Sequence, residues 1–93
     1  MSVLNLNNQI SPKILEEMGF VELASSYKYA MEWEPHRIRI IIHKKELSRV
    51  RIYYEKRYRP YWVQWKYNFQ YVGDKYDLSC LIKSLEERLY QLP

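Results

Sequence analysis

The sequence predicts an α+β fold: a two-layer sandwich whose four-stranded antiparallel sheet, of order 1-2-3-4, carries a short N-terminal and a longer C-terminal helix on one face. Three observations predict it. Between Arg37 and Tyr71 apolar residues recur at every second position: Ile38, Ile40 and Ile42, then Val50, Ile52 and Tyr54, then Tyr61, Val63, Trp65, Tyr67 and Phe69. Successive side chains of a strand point to opposite faces, so this alternation describes a sheet with one buried and one open side. Ser11, Pro12 and Gly19 bracket a short helical segment upstream, and Leu78, Leu81, Ile82, Leu85 and Leu89 fall at helical spacing downstream. A sheet with one apolar face needs a cover, which these two helices supply.

The elements follow in order within a single domain spanning residues 1–93. Met1 to Ile10 contains Asn5, Asn7, Asn8 and Gln9 without periodicity and is expected as an irregular arm. Ser11 can cap a free backbone N–H, and Pro12 suits the first helical position because it lacks the donor orphaned there. The helix then runs from Lys13 to Met18 and stops at Gly19, a residue tolerant of the left-handed cap conformation. Phe20 to Ser26 reads as a connection or a short extended piece. Tyr27, Tyr29, Met31 and Trp33 alternate with Lys28, Ala30 and Glu32 in the first strand, which Pro35 closes.

Opposed residues of paired strands share a face, which fixes the expected register. Trp33 is set against Ile38, Met31 against Ile40 and Tyr29 against Ile42, leaving a loop from Glu34 to Arg37. Ile42 meets Val50 across Lys44 to Ser48, and Tyr54 meets Val63 or Trp65 across Arg57 to Pro60. Gly73 to Asp77 is turn chemistry, in which Asp74 or Asp77 caps the helix reaching to Gln91.

Ninety-three residues bury only roughly 60 to 65% of the unfolded surface, so a deep catalytic cavity is not expected. Apolar residues make up 47% and aromatics 16%, with ten tyrosines and three tryptophans, enough to build a core without disulfide or metal. One cysteine allows no intrachain bridge, and Met1 to Leu6 has neither a basic start nor a long apolar run. The expectation is a cytoplasmic protein without signal peptide or membrane span.

Catalytic chemistry finds little support in the residues. His36 follows Pro35 in a turn and His43 ends a strand, neither with a carboxylate and nucleophile at triad-like positions. Cys80 lies early in the apolar helix, where a thiol is usually a small buried hydrophobe. Two separated histidines and a distant cysteine lack the spacing of a metal site, and Gly19 and Gly73, the two glycines, form no phosphate loop. No enzymatic activity, cofactor or metal is therefore expected.

The net charge of +4, with an isoelectric point near 9.2, is modest, but its distribution is uneven. Strand parity places Lys28, Arg37, Arg39, Arg49, Arg51, Arg57 and Lys66 on the open face against Glu32 and Glu55, about +5 in all. Tyr53 and Trp62 share that face. Arg37, Arg39, Arg49, Arg51, Tyr53, Arg57, Trp62 and Lys66 are thus the candidate binding residues: guanidinium groups can clasp phosphates or carboxylates, and the rings can stack or anchor a protein contact. The alternative is a solvated face of cross-strand ion pairs, such as Glu32 with Arg39 and Arg37 with Glu55. A second candidate surface is the turn from Glu55 to Trp62, where charges and aromatics concentrate.

The segments SPKILEEMGF and YDLSCLIKSLEERL, set around four aromatic-rich strands, resemble the layout of small accessory proteins encoded by bacteriophages and other mobile elements. That resemblance implies a non-enzymatic protein that binds and inhibits or modulates a host defence protein or nucleoprotein complex in the host cytoplasm. Many inhibitors of nucleic-acid-guided nucleases are acidic mimics of nucleic acid, whereas this chain is basic. Direct nucleic-acid binding is the competing class, and a small-ligand sponge or enzyme with a site between subunits, which calls for a homodimer, is a third.

Overall fold

The computed structural model describes residues 8–93, so the expected irregular arm lies mostly outside the described residues. Seven elements follow in the order α1 (Pro12–Glu17), β1 (Val21–Glu22), β2 (Ser26–Trp33), β3 (His36–His43), β4 (Arg49–Tyr58), β5 (Tyr61–Tyr71) and α2 (Lys75–Gln91). The architecture is α+β, with an open antiparallel sheet of order β1-β2-β3-β4-β5. The fifth strand is β1, two exposed residues paired with Tyr27 and Lys28 and too short to show a period in sequence.

Both helix starts form as their residues dictate. The Ser11 side chain accepts from the Ile14 N–H at 3.2 Å, and Pro12 occupies the first turn. Gly19 follows the helix at φ +97°, where a side chain would be strained and its Cβ would stand 3.3 Å from the Tyr29 ring. Asp74 accepts from the Asp77 N–H at 2.9 Å while the Asp77 carboxylate accepts from the Gly73 N–H at 2.8 Å. Of the two expected capping residues, Asp74 is therefore the N-cap of α2, with Asp77 accepting from the residue before it.

Ile38, Ile40, Ile42, Val50, Ile52 and Tyr54 line the covered side of the sheet and meet Leu78, Leu81, Leu85 and Leu89 of α2, with Leu15 and Phe20 completing the core. The β2–β3 register differs by two residues from the expected one: Trp33 pairs with His36, Met31 with Ile38 and Tyr29 with Ile40. The connection is the two-residue turn Glu34–Pro35, and a shift of two leaves every side chain on its expected face. Ile42 does pair with Val50.

The larger departure lies in β5. Glu55 pairs with Gln64 but Tyr54 pairs with Lys66, so Trp65 is an extra residue, a β-bulge. One added residue reverses the facing of all that follows. Trp65 remains on the covered side, its ring 5.5 Å from that of Tyr54, but Tyr67 and Phe69, expected there, stand on the open face opposite Tyr53 and Arg51. Lys66, expected on the open face, is on the covered side, its Nζ 5.1 Å from the centre of the Tyr54 ring. Cys80 is exposed, because the leucine stripe of α2 that faces the sheet leaves this position on the flank.

Helix α2 packs over β2 and β3. A helix is roughly 10 Å wide and strands are about 4.8 Å apart, so one helix covers about two strands. No residue of β5 is buried.

Candidate basic and aromatic sheet face

Register places Lys28 of β2, Arg37 and Arg39 of β3, Arg49, Arg51, Tyr53, Glu55 and Arg57 of β4, and Trp62, Gln64, Tyr67, Phe69 and Tyr71 of β5 on one face. With Lys66 removed and Glu32 included, six cations oppose two acids, giving this face +4. Seven of the eight sequence candidates are therefore together. The reversal at the bulge adds Tyr67 and Phe69, expected on the apolar side, and also brings Tyr71 to this face.

The arginines lie on the rings. Arg37 and Arg57 place their guanidinium carbons 4.2 and 4.6 Å from the Trp62 ring centre, Arg49 lies 4.3 Å from that of Phe69 and Arg39 5.0 Å from that of Tyr53. Such stacking holds flexible cations in place and leaves their outer N–H groups available to a partner. Tyr53 in turn packs against Tyr67 and Phe69 against Tyr71, with centroid separations of 5.0 and 5.8 Å.

The face has two electrostatically different ends. At one, Arg37 Nε and Arg39 Nε each donate to Glu55 Oε1 at 2.8 Å. Glu55 is only 6% exposed although it belongs to the open side. Burial alone would push its carboxyl up, but hydrogen bonds from Arg37 and Arg39 and their positive charges hold it below its ordinary value. Arg57 Nε lies 3.1 Å from a Glu34 carboxylate oxygen, near enough for an ion pair but not aligned as a hydrogen bond.

At the other end the cations are scarcely neutralised. Arg49 has Glu46 at 3.9 Å, and Arg51 has no acidic side chain within ion-pair distance among the described residues. The Nε atoms of both are buried without a hydrogen-bond partner. Arg51 stands between Ile41 and Phe69, beside the half-exposed Tyr67 and Tyr71. The Glu55 end thus fits the solvated ion-pair alternative, and the Arg51 end fits a surface built for an anion.

The two histidines face away from each other. His36 is buried on the covered side, with Nε2 2.7 Å from the Pro93 oxygen, and register puts His43 on the open side. An apolar cleft of about 280 Å³ opens beside His36, lined by Val63, Trp65 and Pro93 among others. Among the described residues no group of three or more His, Cys, Asp or Glu side chains is placed to hold a metal ion, and no helix is long and apolar enough to cross a membrane.

Comparison with known proteins found no matching family model, no matching curated protein and no matching solved structure.

Proposed function

We propose that this chain is a non-enzymatic binding protein whose open sheet face docks an acidic surface of a larger protein or nucleoprotein complex. The observation that carries this reading is the set of arginines held on aromatic rings across β3, β4 and β5, with no carboxylate within ion-pair distance of Arg51 among the described residues. Arginine, tyrosine and tryptophan are the residues that anchor protein interfaces, and cations already immobilised lose little entropy on binding. Trp62 carries Arg37 and Arg57 against its ring, which leaves less of that ring to stack on a nucleobase. Occupying a partner in this way is sufficient to inhibit or modulate it, as the accessory proteins that the sequence resembles do.

Direct binding of single-stranded nucleic acid is the second reading, favoured by Tyr71, 59% exposed and directly across from Arg49. Affinity purification from the native host, repeated after nuclease treatment and with Arg49→Glu/Arg51→Glu, separates the two. A protein that survives nuclease and is lost with the variant supports the proposal. Recovery of nucleic acid alone, or a partner indifferent to the variant, refutes it.

A further inference from the structure

Among the described residues the strand β5 is an outer edge of the sheet, eleven residues long, with six aromatic residues and Lys66 as its sole charge. Proteins ordinarily guard such an edge with charges, proline or a short strand, and the opposite edge is guarded in that way, β1 having only two residues. The bulge at Trp65 is itself a device that blunts edges, because a regular strand cannot follow both halves of β5. A second copy of β5 can follow them, because it carries the same reversal.

We infer that two copies of this chain associate through β5, paired antiparallel about a two-fold axis passing between Trp65 and Lys66. Opposed residues must share a face, and that centre satisfies the requirement from Tyr61 to Gln70. On the open side, Trp62 meets the partner's Phe69 and Gln64 meets the partner's Tyr67. On the covered side, Val63 meets the partner's Asn68, and Trp65 meets the partner's Lys66. No like charges are directly opposed, and each lysine is offered a tryptophan ring.

Neighbouring centres fail. An axis through Trp65 or through Lys66 sets residues of opposite faces together, Gln64 against Lys66 in the first case and Trp65 against Tyr67 in the second. Displacing the axis by one whole residue opposes Gln64 with Trp65 or Lys66 with Tyr67. Registers confined to one side of the bulge keep their faces but pair only half of the strand.

The exposed rings give the contact its apolar area. Tyr61, Trp65, Tyr67 and Phe69 are 70, 48, 40 and 46% exposed, and each retains on the order of 100 Å². With the strand backbones, covering them on both copies removes on the order of 1,000 Å², the scale of a specific interface. The product is a continuous sheet that carries two copies of the arginine and aromatic face on one side. This inference is independent of what that face binds.

The test is sedimentation of the full chain from about 1 to about 100 µM, a range that brackets dissociation constants typical of modest interfaces. The expected result is conversion from the 11.5 kDa chain to twice that mass. The double variant Val63→Lys/Asn68→Lys, which opposes lysine to lysine at two pairs, should remain at the single-chain mass with an unchanged circular dichroism spectrum. Register is read separately by oxidising Gln64→Cys/Tyr67→Cys in a Cys80→Ser background, which should give a covalent dimer in high yield. Gln64→Cys/Phe69→Cys, out of register, should give several-fold less. A wild-type chain that stays single at about 100 µM, a lysine variant that still dimerises, or equal cross-linking of the two cysteine pairs would overturn the inference.

Discussion

Arg37 donates from Nε to Oε1 of Glu55 at 2.8 Å, and this contact, shared with Arg39, holds a carboxylate almost out of water on the side of the sheet that α2 does not cover. The carboxyl is held below its ordinary value, so folding favours its ionised form. The resulting stability is complete above the unfolded-state value, about 4.3, and is lost as pH falls through the lower folded value. Melting temperature measured from pH 7 down to pH 2 should therefore fall more steeply for the wild type than for Glu55→Gln. At neutral pH the variant should cost about 2 kcal/mol, since two arginine donors lose a charged acceptor while keeping access to water. Parallel pH profiles would mean that Glu55 contributes nothing through its charge.

Trp65 and Ile40 share the covered side of the sheet, but α2 packs over β2 and β3 and not over β5, which assigns different costs to two positions that parity alone would rank alike. Ile40 is fully buried between β2 and β4, and Ile40→Ala should cost about 2 to 5 kcal/mol by leaving a cavity. Trp65 is on the same side but 48% exposed, so Trp65→Ala should cost about 1 kcal/mol. Urea denaturation of both variants measures the difference. Equal losses would place Trp65 in the core, beneath the helix.

Much of this fold is legible in the sequence, because Ile38, Ile40 and Ile42 share one parity before the Lys44 to Ser48 turn, Val50, Ile52 and Tyr54 share one after it, and each helix announces its start with a capping residue. The face of Arg37, Arg39, Arg49, Arg51, Tyr53, Arg57 and Trp62 follows from that alternation. The facing of Tyr67, Phe69 and Lys66 does not, since a bulge is chosen by the pairing of two strands and not by the pattern within one. One signal was available: a single long helix covers about two strands, so an apolar stripe continuing through a further strand exceeds what the helix can bury. The pairing of Arg37 with Glu55 was legible, but the burial of Glu55 was not, because it depends on Arg37 and Arg39 both donating to the same carboxylate oxygen. The exposure of Cys80 follows from its angular position relative to the leucine stripe.

Reversing charge at the unneutralised end should abolish partner binding without unfolding the chain. Arg49 and Arg51 suit this better than Arg39, whose loss would remove one of the two hydrogen bonds that hold the buried carboxylate of Glu55. In Arg49→Glu/Arg51→Glu the local charge changes by four units, from attraction to repulsion of an acidic partner. Stability should change by about 1 kcal/mol or less, both side chains being partly exposed on the uncovered face. Affinity for the captured partner, measured by calorimetry beside a thermal melt, should fall at least tenfold. Unchanged affinity in the folded variant would move the site off this face.

Trp62 distinguishes an acidic protein from a nucleic acid as the ligand. Its ring carries the guanidinium groups of Arg37 and Arg57, so Trp62→Ala releases two positioned cations and removes the aromatic anchor. For a protein partner the loss should be about 2 kcal/mol or more, and wild-type affinity should survive moderate salt, since the contact is only partly electrostatic. For nucleic acid held by its phosphates, affinity should instead fall log-linearly with salt, and Trp62→Ala should weaken it little, because both arginines remain in the chain. Fluorescence anisotropy with a labelled oligonucleotide, set beside calorimetry with the captured protein across a salt series, reads both slopes. A steep salt slope with an indifferent Trp62 would refute docking on an acidic protein and assign the face to nucleic acid.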